Sequence, residues 1–474
     1  MNRTDAITLL PLMVVAGTSV LVMLATAVRR SHAFTLCLTL AGLAAAFGCT
    51  WPAGAMAPRQ VTALLIIDDY SLFYFRLLIA AVFAVAILTY DYLRKRDLHR
   101  EELYILLLIA TVGAMVLVAS SHFASFFLGL ETLSISLYAM IAYLRLPRPI
   151  EAGIKYLVLA AGSAAFLLFG MALVYADLGT MEFARMAQLL PGTRGDTLLI
   201  SGMVLIITGI GFKLAVVPFH LWTPDVYEGA PAPVSAFIAT VSKGAMFALL
   251  LRYFYSAGAF ADRHIALIFT IIAIASMIAG NLLALLQNNV KRILAYSSIA
   301  HMGYLLVAFL VGGEFAVEAV TFYLVAYFVT TLGAFGIISV MSGGDGEPEQ
   351  IEDYRGLFWR QPALAGVFTV MLLSLGGIPV TAGFIGKFYI VAAGASSARW
   401  ALILILVISS VIGLFYYLRV VAAMYATSDR EPAAANMPAG FMGRAVLVAL
   451  TCALLWLGVY PNPVLRMIEN VFPK

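Results

Sequence analysis

Apolar residues run along this chain in blocks separated by short polar connections. A helix needs about 20 predominantly apolar residues to cross the hydrocarbon core of a bilayer. Fourteen blocks meet that need, at 7–28, 33–51, 70–93, 102–120, 122–143, 153–175, 198–220, 232–255, 264–286, 292–312, 316–341, 362–392, 400–425 and 443–466. They are spans 1 to 14 below. The longest polar connections, about 176–197, 342–361 and 426–442, are too short for a soluble domain. The pattern predicts an all-α polytopic membrane protein of about 14 transmembrane helices in a single transmembrane domain over residues 1–474.

Two blocks are interrupted. Residues 211–236, GFKLAVVPFHLWTPDVYEGAPAPVSA, put Lys213, His220, Asp225 and Glu228 among four prolines. Residues 376–389, GGIPVTAGFIGKFY, put Lys387 in a second Gly/Pro-broken run. Proline removes a backbone donor and clashes with the preceding turn, so it breaks a helix. Broken helices survive at membrane depth only when buried in protein or lining a wet cavity. Paired breaks in two halves of a membrane protein point to its ion or substrate site. Helices 7 and 12 are therefore predicted to be discontinuous.

Composition supports this picture: 63% of residues are hydrophobic and only 11% charged, against about 25% charged in soluble domains. The net charge of +4 is too small to suggest nucleic acid. Cys37, Cys49 and Cys452 stand apart in apolar runs, without the spacing of a zinc, iron–sulfur or disulfide framework. Nucleotide-loop, GxGxxG and paired-histidine haem patterns are missing, which argues against redox chemistry or a bound cofactor in this chain. The first run has no basic region before it and reads as a retained helix. Lys and Arg cluster at 29–30, 94–100, 145–148, 291–292 and 355–360. By the positive-inside bias these connections are cytoplasmic and both termini lie outside.

Spans 4–8 (102–255) and 9–13 (264–425) read as two copies of one five-helix unit. Lys213 and Lys387, 174 residues apart, each fall in the fourth helix of a copy. An odd number of helices makes the second copy enter the membrane upside down, which predicts two inverted repeats.

Four of the seven lysines lie within spans, while arginine dominates the connections. Arginine keeps its proton almost everywhere, whereas lysine taken out of water can release it. Lys213, Lys243 and Lys387 are thus candidates for proton loading and release, and each burial costs free energy that a passive anchor would not recover. Glu131, central in span 5, is the expected counter-charge of Lys213; a protonated carboxyl bonded to Ser or Thr is the plainer reading. Lys243 could instead reach an interface, and Lys387, near the end of span 12, could do so more readily. Lys155 sits only a few residues into span 6, where reaching the interface and a role in transport compete evenly. His301 can be a satisfied hydrogen-bonding group or a relay between Lys243 and Lys387, alongside Tyr296, Ser297 and Ser298. His220, Asp225 and Glu228 suggest a solvated mouth more than a metal site. His122 and the Asp68–Asp69 pair read as solvated loop groups.

The runs VPFHLWTPDVYEGAPAPVSAFIA behind Lys213, VSKG around Lys243 and NVKRILAYSSIAHMGY closely resemble the antiporter-like subunits of respiratory complex I. The resemblance covers nearly the whole chain. Lysine rather than glutamate at 387, and no long lateral helix at the C-terminus, narrow it to one branch. It implies a proton-translocating membrane subunit of an NADH–quinone oxidoreductase in a bacterial inner membrane, driven by quinone reduction elsewhere. Carried over, Glu131 and Lys213 match the family's acid–lysine pair, Lys243 its central lysine, Lys387 its outer one and Lys155 an additional lysine of helix 6. No cofactor is implied in this chain. Quinone, FMN and iron–sulfur clusters are expected in partner subunits, and the expected membrane neighbours are the antiporter-like subunit M and small subunits such as K and J. The alternative is a cation/proton antiporter subunit of a multi-subunit Mrp-type complex, which shares these motifs.

Overall fold

A bilayer offers no water to an unpaired backbone group, so apolar runs of this kind close their hydrogen bonds within themselves as helices. The computed structural model describes residues 2–96, 100–190, 196–256, 263–344, 346–427 and 440–469. Among them, 13 helices are long and apolar enough to cross a membrane. The terminal residues 1 and 470–474 lie outside the described residues.

Spans 1 and 2 are α1 (Arg3–Val28) and α2 (His32–Gly54). A short antiparallel hairpin that the sequence pattern does not anticipate follows, β1 (Arg59–Gln60) with β2 (Ile66–Ile67), in the register Arg59 opposite Ile67. Then come α3 (Asp69–Arg94), α4 (Glu102–Ala119), α5 (Phe123–Ile141), α6 (Pro147–Leu178) and the short α7 (Phe183–Leu189). Span 7 is divided into α8 (Thr197–Leu214) and α9 (Trp222–Gly229). Span 8 is continuous but changes pitch: α10 (Ala232–Phe237), a π-helical turn over Ile238–Ser242, and α11 (Lys243–Ser256). Spans 9 to 11 are α12 (Arg263–Leu285), α13 (Val290–Phe309) and α14 (Glu314–Met341). After the small α15 (Leu357–Arg360), span 12 is again divided, into α16 (Pro362–Gly376) and α17 (Ala382–Ser396). Span 13 is α18 (Trp400–Tyr425), and span 14 ends at Val459 in α19 (Phe441–Val459), leaving α20 (Asn462–Glu469) as a separate short helix.

The two breaks have visible causes. At the first, Ala215 takes φ +60 and the chain turns through Val217 and Pro218 before α9. Its freed backbone groups find partners: the Trp222 indole donates to Phe212 O at 3.0 Å, and Val217 N–H donates to Ser276 Oγ at 2.9 Å. At the second, Gly377 takes φ +83 and Val380 +74, and the Thr381 hydroxyl accepts from Phe384 N–H to start α17. Gly383 N–H then donates to Ser374 Oγ at 3.1 Å across the gap. Irregular backbone is tolerated here because it is paired within the protein.

Helices in lipid gain nothing from burying one apolar face against another and associate by close packing, so small residues mark the contacts. A Cβ on Gly113 would meet Leu133 N at 2.6 Å, and one on Gly129 would meet Leu117 N at 2.9 Å, so α4 and α5 touch backbone to backbone. Gly280 against Ala300 N (2.7 Å) and Gly303 against Met277 N (3.0 Å) do the same for α12 and α13. Gly129 and Gly303 are 174 residues apart, the separation of Lys213 and Lys387. The span-8 helix is buried from Ala232 to Phe254, and α13 and α14 are buried nearly throughout, whereas much of α6 and α18 is exposed. The structural core is therefore the layer that carries Lys243 and His301.

Candidate functional site

Lys213 occupies the last turn of α8, just before the break. It is 2% exposed, and its ammonium donates to Ser134 Oγ on α5 and to Tyr156 OH on α6, both at 2.9 Å. Its ring neighbour is the same Tyr156, whose centroid lies 5.6 Å away. The expected direct ion pair with Glu131 is not formed among the described residues: Glu131 is half-buried one turn before Ser134 on α5. The reason is reach, since the hydroxyls of Ser134 and Tyr156 are what the Lys213 side chain meets.

Lys243 begins α11 directly after the π-helical turn and is fully buried. Its ammonium donates to Ser298 Oγ at 2.7 Å and lies 5.5 Å from the ring centroid of Tyr227. Ser298 in turn bonds Tyr327 OH at 2.7 Å. One turn on, His301 bonds Tyr323 OH through Nδ1 at 2.5 Å and Tyr417 OH through Nε2 at 3.3 Å. Tyr417 bonds Ser297. Tyr296 is half-buried and takes no part in this string among the described residues. Thus Ser297, Ser298 and His301 of α13 do form a polar string beside Lys243.

Lys387, 8% exposed, does not reach for an interface. It folds back across the break and donates to the carbonyls of Leu375 (3.0 Å) and Gly376 (2.9 Å) and to Ser410 Oγ (2.6 Å). The Tyr304 ring lies 5.2 Å from its ammonium, and Tyr304 OH accepts from Asn281 at 3.0 Å. Three lysines buried among hydroxyls and carbonyls, with no carboxylate within ion-pair distance among the described residues, make the chemical centre of the molecule.

Lys155 is not part of it. It is 45% exposed at the side chain and bridges Glu151 at 2.7 Å and Asp225 at 3.0 Å. The cause is its position two turns into α6, at the edge of the helix bundle. Asp225 also meets Arg292 (2.8 Å), which meets Glu228 (2.7 Å), and Arg148 pairs with both Glu228 and Glu349. Asp225 and Glu228 therefore belong to an ionic cluster at one edge of the bundle. His220 is nearly buried, with Nδ1 unpartnered among the described residues, and His122 caps α5 by accepting from Ala124 N–H at 3.0 Å. No three His, Cys, Asp or Glu side chains converge as metal ligands among the described residues.

Two buried pairs escape a reading of the sequence alone. Asp68 is not a solvated loop group: it caps α3 and takes a two-pronged contact from Arg252 at 2.9 and 2.7 Å. Arg252 is 8% exposed, near the end of the span-8 helix. Burial alone would raise the Asp68 carboxyl, but the Arg252 guanidinium and the Ser71 hydrogen bonds outweigh it and hold it below the ordinary value. The second pair joins Lys291 to Glu347 at 2.6 Å, with side chains 1% and 8% exposed. Burial raises the Glu347 carboxyl, yet Lys291, Tyr92 and the Ala232 N–H together hold it low. In both cases the partner lies more than 50 residues away, so no local spacing reports it.

Comparisons with known proteins fit this geometry. Residues 120–413 match the family described as NADH:quinone oxidoreductase/Mrp antiporter, TM. The chain is 53% identical to NADH-quinone oxidoreductase subunit N of Nitrosospira multiformis, over 99% of this chain and 96% of that one. It is 49% identical to the subunit N of Methylococcus capsulatus at the same coverage. Among solved structures it is similar to a chain of respiratory complex I from Thermus thermophilus with bound aureothin, at TM-score 0.83 and 33% identity, covering 96% of this chain and 98% of that one. It also shares its fold with a chain of the Mrp complex from Dietzia sp., at TM-score 0.86 and 19% identity, covering 99% and 97%.

Proposed function

The chain belongs to the NADH-quinone oxidoreductase subunit N family, and from that premise we propose that Glu131, Lys213, Lys243, His301 and Lys387 carry protons through it. It is a multi-pass membrane subunit of a proton-translocating oxidoreductase. The Mrp-type alternative shares the fold, at an identity too low to carry function. Lys155 drops out of the path for the geometric reason already given.

One observation carries the reading. Five lysines lie within the described helices, four of them buried and Lys155 exposed, and their partners differ. Lys155 and Lys291 are matched to carboxylates, while Lys213, Lys243 and Lys387 are held by hydroxyls and carbonyls only. A buried ammonium with a counter-carboxylate is fixed; one without it can give up its proton without leaving an acid unpaired.

The steps follow from the partners. Glu131 and Ser134 lie three residues apart on α5, hence on one face. A swing of Lys213 from the Ser134 hydroxyl toward Glu131 secures its charge, and the return swing loosens it. The Ser298–Tyr327 pair and the Tyr323–His301–Tyr417 string lead from Lys243 toward the second half, where Lys387 sits on the open carbonyls of α16. Cations are favoured at a helix C-terminus, so this end holds a proton-bearing Lys387 until the break rearranges. Moving one proton against 100 mV costs about 2.3 kcal/mol. A change of roughly two pKa units in one lysine, at 1.36 kcal/mol each, meets that cost.

The matching breaks, the glycine contacts of α4 with α5 and of α12 with α13, and the shared 174-residue offset support two five-helix repeats, 102–255 and 264–425, the second inverted. Quinone, FMN and iron–sulfur clusters are assigned to partner subunits, with an M-type subunit and small K- and J-type subunits as neighbours. Both termini are assigned to the periplasmic side of a bacterial inner membrane. The test is co-purification in mild detergent: the reading requires those subunits with this chain, and recovery with small antiporter subunits alone would refute it.

A further inference from the structure

Glu347 lies on the connection between α14 and α15, far from Lys243 in the chain, yet its carboxylate touches three elements at once. Oε2 pairs with Lys291 at the start of α13 at 2.6 Å. Oε1 accepts from the Tyr92 hydroxyl of α3 at 2.5 Å and from Ala232 N–H, the first residue of the span-8 helix, at 2.9 Å. Lys291 adds a fourth element by donating to Glu228 O (2.9 Å) and Ala230 O (2.7 Å), which close α9. A cavity of about 380 Å³ opens beside the pair, with Arg148 and Glu349 on its wall.

These are the elements that surround Lys243. Ala232 starts the helix that carries it. Lys291 is two turns ahead of Ser298 on α13, on the same face, and Ser298 holds the Lys243 ammonium. The carbonyls that Lys291 ties down belong to the segment just after Tyr227, the ring beside Lys243. Between the Ala232 anchor and Lys243 lies the π-helical turn, a form frequently found at functional sites. One buried ion pair thus fixes the lysine's helix, its hydroxyl partner's helix and its ring neighbour's segment relative to one another.

We propose that Glu347 and Lys291 are positioning residues for Lys243, setting its distance to Ser298 and Tyr227 from about 16 Å away, the length of eleven residues of helix. The inference rests on the proton path proposed above. An ion pair suits the task because its geometry is directional, whereas apolar packing of the same volume would stabilise as well without fixing register.

The test uses the assembled complex in membrane vesicles, with proton pumping measured per assembled complex during NADH oxidation. Glu347→Gln keeps the shape and one oxygen to accept from Tyr92 and Ala232, but removes the charge and the acceptor that Lys291 uses; a fall of at least five-fold is expected, with at least half recovered in Glu347→Asp. The double variant Lys291→Met/Glu347→Leu removes both charges together. A purely stabilising pair predicts wild-type pumping there, and the positioning role predicts a rate as low as in Glu347→Gln. Should assembly suffer in these variants, Tyr92→Phe, which removes only one hydrogen bond to Glu347, decides: a two-fold or greater loss per complex supports the role and an unchanged rate overturns it. Wild-type pumping in assembled Glu347→Gln, or its return in the double variant, also overturns it. Lys243→Ala run alongside separates the two claims. If that variant loses pumping while Glu347→Gln does not, only the positioning role fails; if both pump normally, the path itself fails.

Discussion

The ammonium of Lys387 lies 2.9 Å from the carbonyl oxygen of Gly376, the last residue of the half-helix that precedes it in the chain. A cation thus closes the open end of one helix from the first turns of the next. The turn between them depends on Gly377 at φ +83, and a Cβ there would come 2.8 Å from Lys387 Cδ. Gly377→Ala is expected to cost about 1–2 kcal/mol from the left-handed backbone alone, and to push Lys387 off its carbonyls. The check is thermal unfolding of the purified complex together with pumping; pumping should fall further than stability predicts.

The Asp68–Arg252 pair gives a prediction about acid. Asp68→Asn leaves a buried guanidinium without its counter-charge and should destabilise the subunit by about 3 kcal/mol. The folded carboxyl is held below its ordinary 3.8, so its contribution is complete above that value and is lost as pH falls through the folded one. The stability gap between wild type and Asp68→Asn should therefore be constant from pH 5 to 8 and shrink only in stronger acid, measured by thermal melts across pH.

The α4–α5 contact predicts a steric effect. At Gly113 a side chain meets the Leu133 backbone at 2.6 Å, which no rotamer can relieve. Gly113→Ala should cost about 1–3 kcal/mol by overpacking, read as lowered thermal stability of the complex, whereas Gly17→Ala, with open space around it, should cost nothing.

What could be read from the chain was what its local pattern controls. Spans came through because a hydrocarbon-crossing helix needs a run of fixed length, and the breaks because Pro218 and the Gly376–Gly377 pair with Pro379 mark them locally. The buried lysines were legible because a charge inside such a run has no other excuse. Their partners were not. Ser134 and Tyr156 lie 79 and 57 residues from Lys213, and a hydroxyl in an apolar helix gives no sign of what it faces. For the same reason Glu131 looked like the obvious partner, being the one acid central in a span. Asp68 looked solvated beside Asp69, and Lys155 could be read equally as reaching the interface or as part of the path, because depth along a run does not tell which face of the helix points outward.

Orientation yields a topological prediction. Reporter fusions in the 94–100 and 145–148 connections should report the cytoplasmic side, and one in 176–197 the opposite side. The reversed pattern would contradict the charge bias on which the assignment of both termini rests.

The central claim is that Lys243 moves protons rather than merely supplying charge, and replacing it separates the two. In membrane vesicles, NADH-driven proton pumping and electron transfer are measured together for Lys243→Ala and Lys243→Arg, normalised to assembled complex. Arginine keeps the charge but cannot release its proton, so both variants should assemble and both should lose pumping to a similar degree, at least ten-fold. Full assembly of Lys243→Ala with both rates at wild-type levels would contradict the account.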